Sequence, residues 1–253
     1  MPLSPRKLES EINELLDAAS FRDYCPNGMQ VEGAREINKV VTGVTASQAL
    51  IEAAIESGAD ALLVHHGYFW KGEDPTIVGM KRARVKLLLE HGVSLLAYHL
   101  PLDAHATLGN NAQLAKLLRL SVSGQVGPEG EPALVWTGET ENDINAEDFA
   151  ALLANKLHRE ATWVRGDDRE IKKIAWCTGA AQGFFELAVS AGVDAYLTGE
   201  ISEPSAHIAR ESGVHFFSAG HHATERYGVQ AVGEFLAEKY ALQHEFIDID
   251  NPA

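Results

Sequence analysis

The amino-acid sequence predicts an α/β fold formed by internal duplication: two similar α/β domains, each with a mostly parallel sheet covered by helices. The first observation is a repeat, because segment 37–67 aligns without a gap on segment 171–201, an offset of 134 residues (171 − 37 = 134). The second is that both segments alternate short apolar runs with amphipathic stretches, which is typical of parallel strands joined by crossover helices. The third is a glycine after each amphipathic stretch, Gly58 or Gly192, where a helix commonly ends in a left-handed conformation.

Each copy of the repeat is predicted to contain a strand, a helix and a second strand, in that order. The paired elements are 40–44 with 174–178, about 47–57 with 182–191, and 61–64 with 195–198. Identical residues recur through these elements at the same offset, which supports two copies of one α/β unit. The identical pairs include Ile37/Ile171, Lys39/Lys173, Gln48/Gln182, Glu52/Glu186, Ala54/Ala188, Gly58/Gly192, Asp60/Asp194, Ala61/Ala195 and Leu63/Leu197.

The similarity continues beyond the repeat at an offset of 121 residues, where segment 90–93 matches segment 211–214 (211 − 90 = 121). A third strand is predicted after each match, and a helix after each strand. Both halves also open with an amphipathic helix. The predicted pairs are strands 94–98 and 215–219, helices from about 110 and from about 223, and opening helices of about 5–18 and 146–158. A loop rich in Gly, Ser and Pro, 121–132, is predicted to join the halves. This gives approximate domains of 1–124 and 125–253, which could intertwine.

Composition and charge exclude several classes of partner. The 253 residues are 45% apolar, enough for a packed core, and carry a net charge of −15. Such an acidic surface disfavours broad nucleic-acid or anionic-membrane binding, because phosphate groups are repelled. Cys25 and Cys177 do not form a disulfide framework, which fits a reducing compartment. We recognise no signal peptide or membrane span, and therefore expect a cytoplasmic protein.

Histidines and carboxylates follow the ends of the predicted strands. His65 and His66 end the second strand of the first copy, and Asp103 lies just past its third strand. His221 and Glu225 lie just past the third strand of the second copy. Ligands of open α/β sheets bind beyond the carboxyl ends of the strands, so these five residues are the predicted site. The second copy has Gly199-Glu200 where the first has His65-His66, so the repeat is asymmetric at this site.

The residue types in this set predict metal binding. Three imidazoles and two carboxylates without a thiolate suit Zn, Fe, Mn or Co, and do not suit copper(I) or an iron–sulfur cluster. Five side chains exceed the three that a catalytic zinc usually takes from protein, and they suit two divalent ions per subunit. His221 and Glu225 are four residues apart, so a helix would place them on one face.

Structural explanations compete with metal binding for each residue taken alone. Asp103 could cap a helix, and Glu225 could complement the dipole of a first helical turn. His99 and His222 each lie one step from the site and could support a ligand, act as a general base or pack in the core. His215 is interpreted as a core residue. The remaining histidines with surface or helix-end contexts are His91, His158, His207 and His244.

Five segments carry a resemblance to a known family. They are NGMQV (27–31), VHHG (64–67), YHLPLD (98–103), LTGE (197–200) and GHHATE (220–225). With these motifs the chain resembles the Nif-three-like (Ngg-interacting-factor) family, also called GTP cyclohydrolase I type 2 homologues. It is similar to the short bacterial form of this family, the YbgI type. The resemblance runs from about residue 5 to residue 253, without the large central insertion of longer members.

The resemblance implies two similar α/β domains and a toroidal homohexamer with a dinuclear metal site facing an internal cavity. The family ligands correspond to His65, His66, Asp103, His221 and Glu225, with Glu225 bridging the ions. We therefore predict a metal-dependent hydrolase, GTP cyclohydrolase type 2-like, acting on a small nucleotide-like or other polar substrate. His99 or His222 would carry the proton. The alternatives are a non-enzymatic toroidal protein with a metal-binding, regulatory or interaction role, and a metallochaperone or metal store.

Overall fold

The computed structural model describes residues 3–129 and 132–253, and these form two compact units. The first unit contains the chain up to Gly109 together with Gly228–Asp250, and the second contains Asn110–Tyr227 together with Asn251–Ala253. Each unit has one sheet covered by helices. The predicted α/β fold with two similar domains is confirmed.

The helices and strands follow one another along the chain in the predicted alternation. The helices are α1 (Pro5–Leu15), α2 (Gln48–Glu56), α3 (Gly79–His91), α4 (Leu100–Ala104), α5 (Asn110–Leu118), α6 (Ala146–Leu157), α7 (Phe185–Ser190), α8 (Glu203–Ser212), α9 (His221–Thr224) and α10 (Arg226–Tyr240). The strands are β1 (Gly28–Val31), β2 (Lys39–Thr45), β3 (Ala61–His66), β4 (Ser94–Ala97), β5 (Ser121–Val126), β6 (Val135–Ile144), β7 (Thr162–Val164), β8 (Ile171–Trp176), β9 (Ala195–Thr198), β10 (His215–Ser218) and β11 (Gln243–Phe246). Two 3₁₀ turns cover Ala18–Ser20 and Gln182–Phe184.

The sheet of the first unit has the strand order β1-β4-β3-β2-β11. All neighbours are parallel except β1 and β4, which are antiparallel. The central strand β3 is buried over Ala61–His65, with His66 half-buried at its end. Apolar side chains from both faces of this sheet pack into two clusters, one with α2 and α3 and one with α1 and α10. A strand covered on both faces explains the continuous apolar run before His65.

The sheet of the second unit has the order β5-β6-β8-β9-β10-β7. Strands β8, β9 and β10 are parallel neighbours, whereas β5–β6, β6–β8 and β7–β10 are antiparallel. The expectation of a mostly parallel sheet thus describes the first unit, while in the second it describes only the central three strands. Of these pairs, β5–β6 is antiparallel because the two strands form a hairpin, which needs no crossover helix.

The duplication is visible in the strand register. Val40 pairs with Ala61, and Ile174 pairs with Ala195, so both partners are displaced by 134 residues. The third strands agree as well, because Ala61 pairs with Ser94 and Ala195 with His215, a displacement of 121 residues for the second partner (215 − 94 = 121). Both units therefore share a four-strand arrangement, β1-β4-β3-β2 and β7-β10-β9-β8, with the first pair antiparallel in each.

Hydrogen bonds at the start of the repeat are duplicated too. Asp60 Oδ2 accepts the backbone N–H groups of Asn38 and Lys39 at 2.9 and 3.0 Å. At the equivalent place, Asp194 Oδ2 accepts those of Lys172 and Lys173 at 3.1 and 2.8 Å. Both aspartates tie the beginning of one strand to the beginning of its neighbour, which explains why this residue is identical in the two copies.

The repeated helix differs between the copies at its first turn. Ser47 caps α2, because its hydroxyl accepts the backbone N–H of Leu50 at 3.2 Å. The equivalent residue in the second copy is Ala181 (47 + 134 = 181), which offers no side-chain acceptor. The second helix consequently starts as a 3₁₀ turn before α7, since the first N–H groups of a helix need a partner.

The observed division of the chain differs from the predicted boundary at residue 124. The first unit ends at Gly109, and the chain returns to this unit at Gly228, within α10. Residues 121–126, predicted as part of a loop, form β5, with Val122 opposite Gly138 of β6. Composition indicated a loop because Gly and Ser are common there, but a hairpin partner supplies the backbone hydrogen bonds of a strand. Among the described helices, none is both long and apolar enough to cross a membrane.

Candidate metal centre

His65 is held at the end of β3 by one ring nitrogen. Its Nδ1 lies 2.9 Å from the backbone oxygen of Tyr98, and the side chain is fully buried. A carbonyl oxygen can only accept, so Nδ1 carries a proton and donates it. In the neutral ring, Nε2 then presents a lone pair, which is the arrangement that metal-binding histidines adopt.

His66 follows at the last position of β3. Its Nδ1 lies 3.2 Å from the hydroxyl of Thr45, on the neighbouring strand β2. The rings of His65 and His66 are tilted by 41° with their centroids 4.5 Å apart. Adjacent side chains of a regular strand point to opposite faces, and only the end of the strand lets these two rings approach each other. The structure therefore brings the two histidines together as predicted.

Asp103 reaches His65 from α4. Residues Leu102 and Asp103 donate their backbone N–H groups to the carbonyl of His99, at 2.9 and 3.1 Å, which starts this short helix immediately after β4. The carboxylate of Asp103 is buried, and its Oδ1 lies 3.5 Å from Nε2 of His65. We call His65, His66, His99 and Asp103 the β3 cluster.

His99 is oriented by the carboxylate of Asp23, a residue that the sequence motifs do not include. Asp23 Oδ1 accepts the Nδ1–H of His99 at 2.8 Å. The ring centroids of His65 and His66 lie 5.1 and 5.9 Å from that of His99, and each of the three rings offers a nitrogen within 4.8 Å of the others. Trp70 covers His99 edge-on, with ring centroids 4.9 Å apart. The β3 cluster could thus hold a metal ion with imidazole nitrogens.

Asp23 is ionised because of its hydrogen bonds. Burial alone would raise the pKa of this carboxyl, but contacts with His99, Asn27 and the backbone of Tyr24 outweigh burial and lower the pKa to about 2. The other oxygen of Asp23, Oδ2, accepts the backbone N–H of Leu100 at 2.8 Å and the side-chain amide of Asn27 at 2.9 Å. No spacing in the sequence connects Asp23 to His99, and only the fold reveals this contact.

The second group of donors lies on one helical turn of the second unit. His221 and Glu225 are four residues apart at the two ends of α9, and Nε2 of His221 lies 3.1 Å from Oε2 of Glu225. The side chain of Glu225 is buried. The predicted placement of both residues on one face is confirmed. We call this pair the α9 cluster.

Two glycines make room for the α9 cluster. A Cβ on Gly179 would lie 2.1 Å from Oε1 of Glu225, and Gly179 also has a positive φ of +70°. A Cβ on Gly199 would lie 2.6 Å from the Cα of His221. The hydroxyl of Thr224 accepts the N–H of Gly179 at 3.1 Å and so fastens the glycine loop to α9. Space for a buried carboxylate is therefore built into the backbone.

Carboxylates surround the ring of His221. Nδ1 donates to Oε1 of Glu200 at 2.7 Å, on the edge of the ring opposite to Glu225. Burial alone would lower the pKa of His221, but Glu225 and then Glu200 outweigh burial and raise the pKa to about 9. Below that pH the metal-free ring is an imidazolium, which a metal ion would have to deprotonate. Glu200 could have been found in the sequence, because it takes the repeat position of His66 (66 + 134 = 200).

The remaining histidines have other surroundings. His215 is buried and receives the N–H of Gly166 at Nδ1, at 3.2 Å, while Nε2 donates to the carbonyl of Arg169 at 3.0 Å. Both nitrogens are satisfied, as expected of a core residue. His207 pairs with Glu203 on the surface. His222 is buried next to the α9 cluster, and a catalytic role for it stays a prediction.

Comparison with known proteins identifies the family of this chain. Residues 4–252 match the sequence model of the family described as Duf34/NIF3 (NGG1p interacting factor 3). The chain belongs to this family. The Duf34/NIF3 match covers the β3 cluster and the α9 cluster, so both lie in sequence that the family shares. The predicted resemblance is confirmed.

Curated members of the Duf34/NIF3 family align along nearly the whole chain. A protein of Pseudomonas aeruginosa is 53% identical over 253 residues, 100% of both chains, and one of Escherichia coli K12 is 51% identical over 98% of both. Both are named GTP cyclohydrolase 1 type 2 homolog. A solved structure described as protein ybgI of unknown function is 50% identical, with a TM-score of 0.95 over 99% of this chain and 100% of that one.

Proposed function

We propose that this protein is a metal-dependent hydrolase in which His65, His66, Asp103, His221 and Glu225 hold two divalent ions per subunit. The observation that carries the proposal is the approach of Nε2 of His65 to Oδ1 of Asp103, at 3.5 Å in a buried place. The backbone carbonyl of Tyr98 accepts the Nδ1–H of His65, so in the neutral ring Nε2 directs a lone pair at the carboxylate oxygen. Two acceptors in that position need a cation between them, either a second proton or a metal ion.

The donor count supports a shared centre. The α9 cluster offers one imidazole and one carboxylate, fewer than the three protein ligands that a catalytic ion usually takes. From the β3 cluster, His65, His66 and Asp103 add two imidazoles and one carboxylate. Five donors in total suit two ions with one bridging carboxylate, for which Glu225 is our candidate. The donors contain no ionised thiolate, and they suit Zn, Fe, Mn or Co.

The chain also supplies groups that can move a proton. When bound, two such ions polarise a substrate oxygen and lower the pKa of water at the site. His99 can accept a proton at Nε2, because Asp23 holds the Nδ1 proton and the orientation of the ring. Burial, with a smaller effect from Asp23, raises the pKa of Cys25 to about 12, so this thiol stays protonated and is a poor nucleophile. The proposed chemistry therefore depends on water rather than on a covalent intermediate.

The names of the relatives suggest the substrate class. They are called homologues of a GTP cyclohydrolase, and for that chemistry the target would be C8 of a purine ring. We propose a small nucleotide-like or other polar substrate on this basis. We also propose a toroidal homohexamer, as the family resemblance implies, and a cytoplasmic location, which two cysteines without a disulfide framework fit.

Metal analysis of reconstituted protein tests the proposal. We expect close to two divalent ions per subunit, and fewer after His66→Ala or Glu225→Ala. His158→Ala is the matched control, because His158 is exposed at the end of α6 and lies outside both clusters. An occupancy of none or one ion at saturation would contradict the dinuclear centre.

Activity is tested with the metal that the protein retains. A panel of cyclic and phosphorylated nucleotides should show hydrolysis that a chelator abolishes and added metal restores. His99→Gln should slow turnover more than it weakens metal binding if His99 carries the proton. Hydrolysis by metal-free protein at the rate of the loaded form would refute the hydrolase.

Burial of the donors favours a second candidate, a ring-shaped metal-binding protein with a regulatory or interaction role. His65, Asp103 and Glu225 are 0%, 7% and 3% exposed, as is common for structural metal sites. This candidate predicts two bound ions, a large loss of stability on chelation and no turnover on any substrate of the panel.

A further inference from the structure

Glu200 contacts the edge of His221 that faces away from Glu225. Its Oε1 accepts the Nδ1–H of His221 at 2.7 Å, whereas Nε2 of the same ring lies 3.1 Å from Oε2 of Glu225. The other carboxylate oxygen, Oε2, accepts the side-chain amide of Gln182 at 3.2 Å. Glu200 is thus itself held in place, with one oxygen aimed at a single ring nitrogen.

The repeat relates Glu200 to a histidine position of the first copy. Gly199 and Glu200 correspond to His65 and His66 (65 + 134 = 199; 66 + 134 = 200). A histidine cannot replace Gly199, because even a Cβ there would lie 2.6 Å from the Cα of His221 and 2.7 Å from the carbonyl oxygen of Gly179. The end of β3 in the first unit therefore carries two imidazoles. The end of β9 in the second unit is followed instead by the carboxylate of Glu200, which contacts the imidazole of His221 beyond the end of β10.

The acceptors of the ring nitrogens differ in charge. His65 donates its Nδ1–H to a backbone carbonyl, and His66 has the hydroxyl of Thr45 at the same atom. Both partners are neutral. The partner of His221 is the carboxylate of Glu200, and hydrogen bonds to a charged acceptor are shorter and about twice as strong as neutral ones. A carboxylate at Nδ1 fixes the tautomer of a metal-binding histidine and makes its other nitrogen a better ligand.

We infer that Glu200 is a positioning residue for the metal centre: it holds the Nδ1–H of His221 and thereby directs Nε2 towards the ion. The inference rests on the proposed metal centre. It assigns Glu200 a place outside the ligand set, because its oxygen lies at Nδ1 and not at the nitrogen that meets Glu225. It also explains how the second copy, which has Gly199 and Glu200 in place of two histidines, still contributes to the site.

The test compares Glu200→Ala and Glu200→Gln with the full-length wild-type protein. Removing a carboxylate that supports a metal-binding histidine weakens metal affinity by about 10–100-fold, so we expect a dissociation constant for Zn²⁺ raised by that factor in the alanine variant. Glutamine keeps an oxygen that accepts the Nδ1–H and should lose less. Both variants should still reach two ions per subunit at saturating Zn²⁺, since no ligand is removed. Competition with a chelator measures the affinity.

Glu203→Gln is the matched control. Glu203 also lies near a histidine, His207, at 3.1 Å, but both side chains are exposed on α8. This variant should bind Zn²⁺ as the wild type does. Imidazole ¹⁵N spectra of Zn²⁺-loaded protein provide a second readout, because they report which nitrogen of His221 carries the proton. Wild type and Glu200→Gln should show Nδ1–H with metal at Nε2.

The outcomes separate this inference from the proposed function. Wild-type protein that binds no Zn²⁺ would refute the metal centre itself. Wild-type protein with two ions and an unchanged affinity in Glu200→Ala would refute the positioning role alone. Loss of an ion at saturation in both Glu200 variants would make Glu200 a ligand and would also overturn the inference.

Discussion

Gly179 lies so close to Glu225 that the two could not coexist if residue 179 had a side chain. A Cβ built on Gly179 would be 2.1 Å from Oε1 and 3.1 Å from Cδ of Glu225. The equivalent residue of the first copy is Thr45 (45 + 134 = 179), whose hydroxyl contacts Nδ1 of His66. In the first unit, this position holds a threonine whose hydroxyl supports the His66 ring. In the second unit, it holds a glycine that leaves room for the Glu225 carboxylate.

Gly179→Ala should therefore displace the Glu225 carboxylate and weaken metal binding. Gly192→Ala is a matched control, because Gly192 has nearly the same φ, +72° against +70°, but no atom within 4 Å of its Cβ position. The left-handed conformation costs an alanine about 1–2 kcal/mol at either position. We expect both variants to be destabilised, and only Gly179→Ala to lose bound Zn²⁺ in a chelator competition. Equal metal affinity in the two variants would contradict the role of Gly179.

Metal binding should weaken as the pH falls below about 9. The pKa of His221 in the metal-free protein is raised from 6.5 to about 9, so an ion must displace one proton from the ring over this range. Affinity should fall by about tenfold per pH unit for each proton displaced. Calorimetry at pH 7.5 in two buffers with different heats of ionisation should detect the released proton. His221→Gln should remove it, and an equal release from this variant would contradict the assignment.

The metal-free protein should show the opposite dependence on pH. Because the folded-state pKa of His221 lies above its unfolded value, the charged ring contributes stability that is fully present below about 6.5. That contribution is lost as the pH rises through about 9. Urea unfolding of metal-free wild type and His221→Gln at pH 6 and pH 10 should show a difference between the two proteins that shrinks at the higher pH. A difference that grows would show that the charged ring is not stabilising.

Asp23→Asn should destabilise the first unit and disturb His99. The Asp23 carboxylate accepts four hydrogen bonds, from the side chains of His99 and Asn27 and from two backbone N–H groups. Loss of such bonds at a nearly buried group costs about 1–3 kcal/mol. Asp168→Asn, which alters an exposed pair with Arg165, should cost under about 1 kcal/mol. Denaturant unfolding of both variants measures the difference, and similar values would contradict the prediction.

Acid should weaken the same contact. The pKa of Asp23 is lowered from 3.8 to about 2, so its contribution to stability is present above about 3.8 and is lost as the pH falls through about 2. The destabilisation caused by Asp23→Asn should therefore be large at pH 6 and smaller at pH 2. An equal destabilisation at both pH values would show that the Asp23 carboxylate does not contribute to acid unfolding.

The assembly can be tested directly by light scattering. A closed homohexamer, which the family resemblance implies, should give about six times the chain mass of 27.4 kDa. The mass should persist in dilute protein, because a closed ring buries every copy of its interface. A monomer at micromolar concentration would contradict the toroid.

Local patterns in the sequence were sufficient to predict the repeated elements. The alternation of apolar runs and amphipathic stretches identified β2, β3 and β4 with their counterparts β8, β9 and β10, and the repeat offset agrees with the observed strand register. The strand β5 was missed, because its serines and glycine resemble a loop until β6 pairs with it. The division of the chain into units also depends on pairing between distant segments, which decides which helix belongs to which sheet.

The duplication, the order of the elements and the candidate ligands follow from the sequence, because these depend on spacing and on strand ends. Which atom of each imidazole is engaged depends on the tertiary structure. The partners of Nδ1 in His65, His99 and His221 are Tyr98, Asp23 and Glu200, which lie 33, 76 and 21 residues away along the chain. A hydrogen bond requires donor and acceptor within about 3 Å and in line, and packing alone brings such distant residues to that distance. The residue types at the site could thus be predicted from the sequence, whereas the fold sets the direction in which each imidazole offers its lone pair.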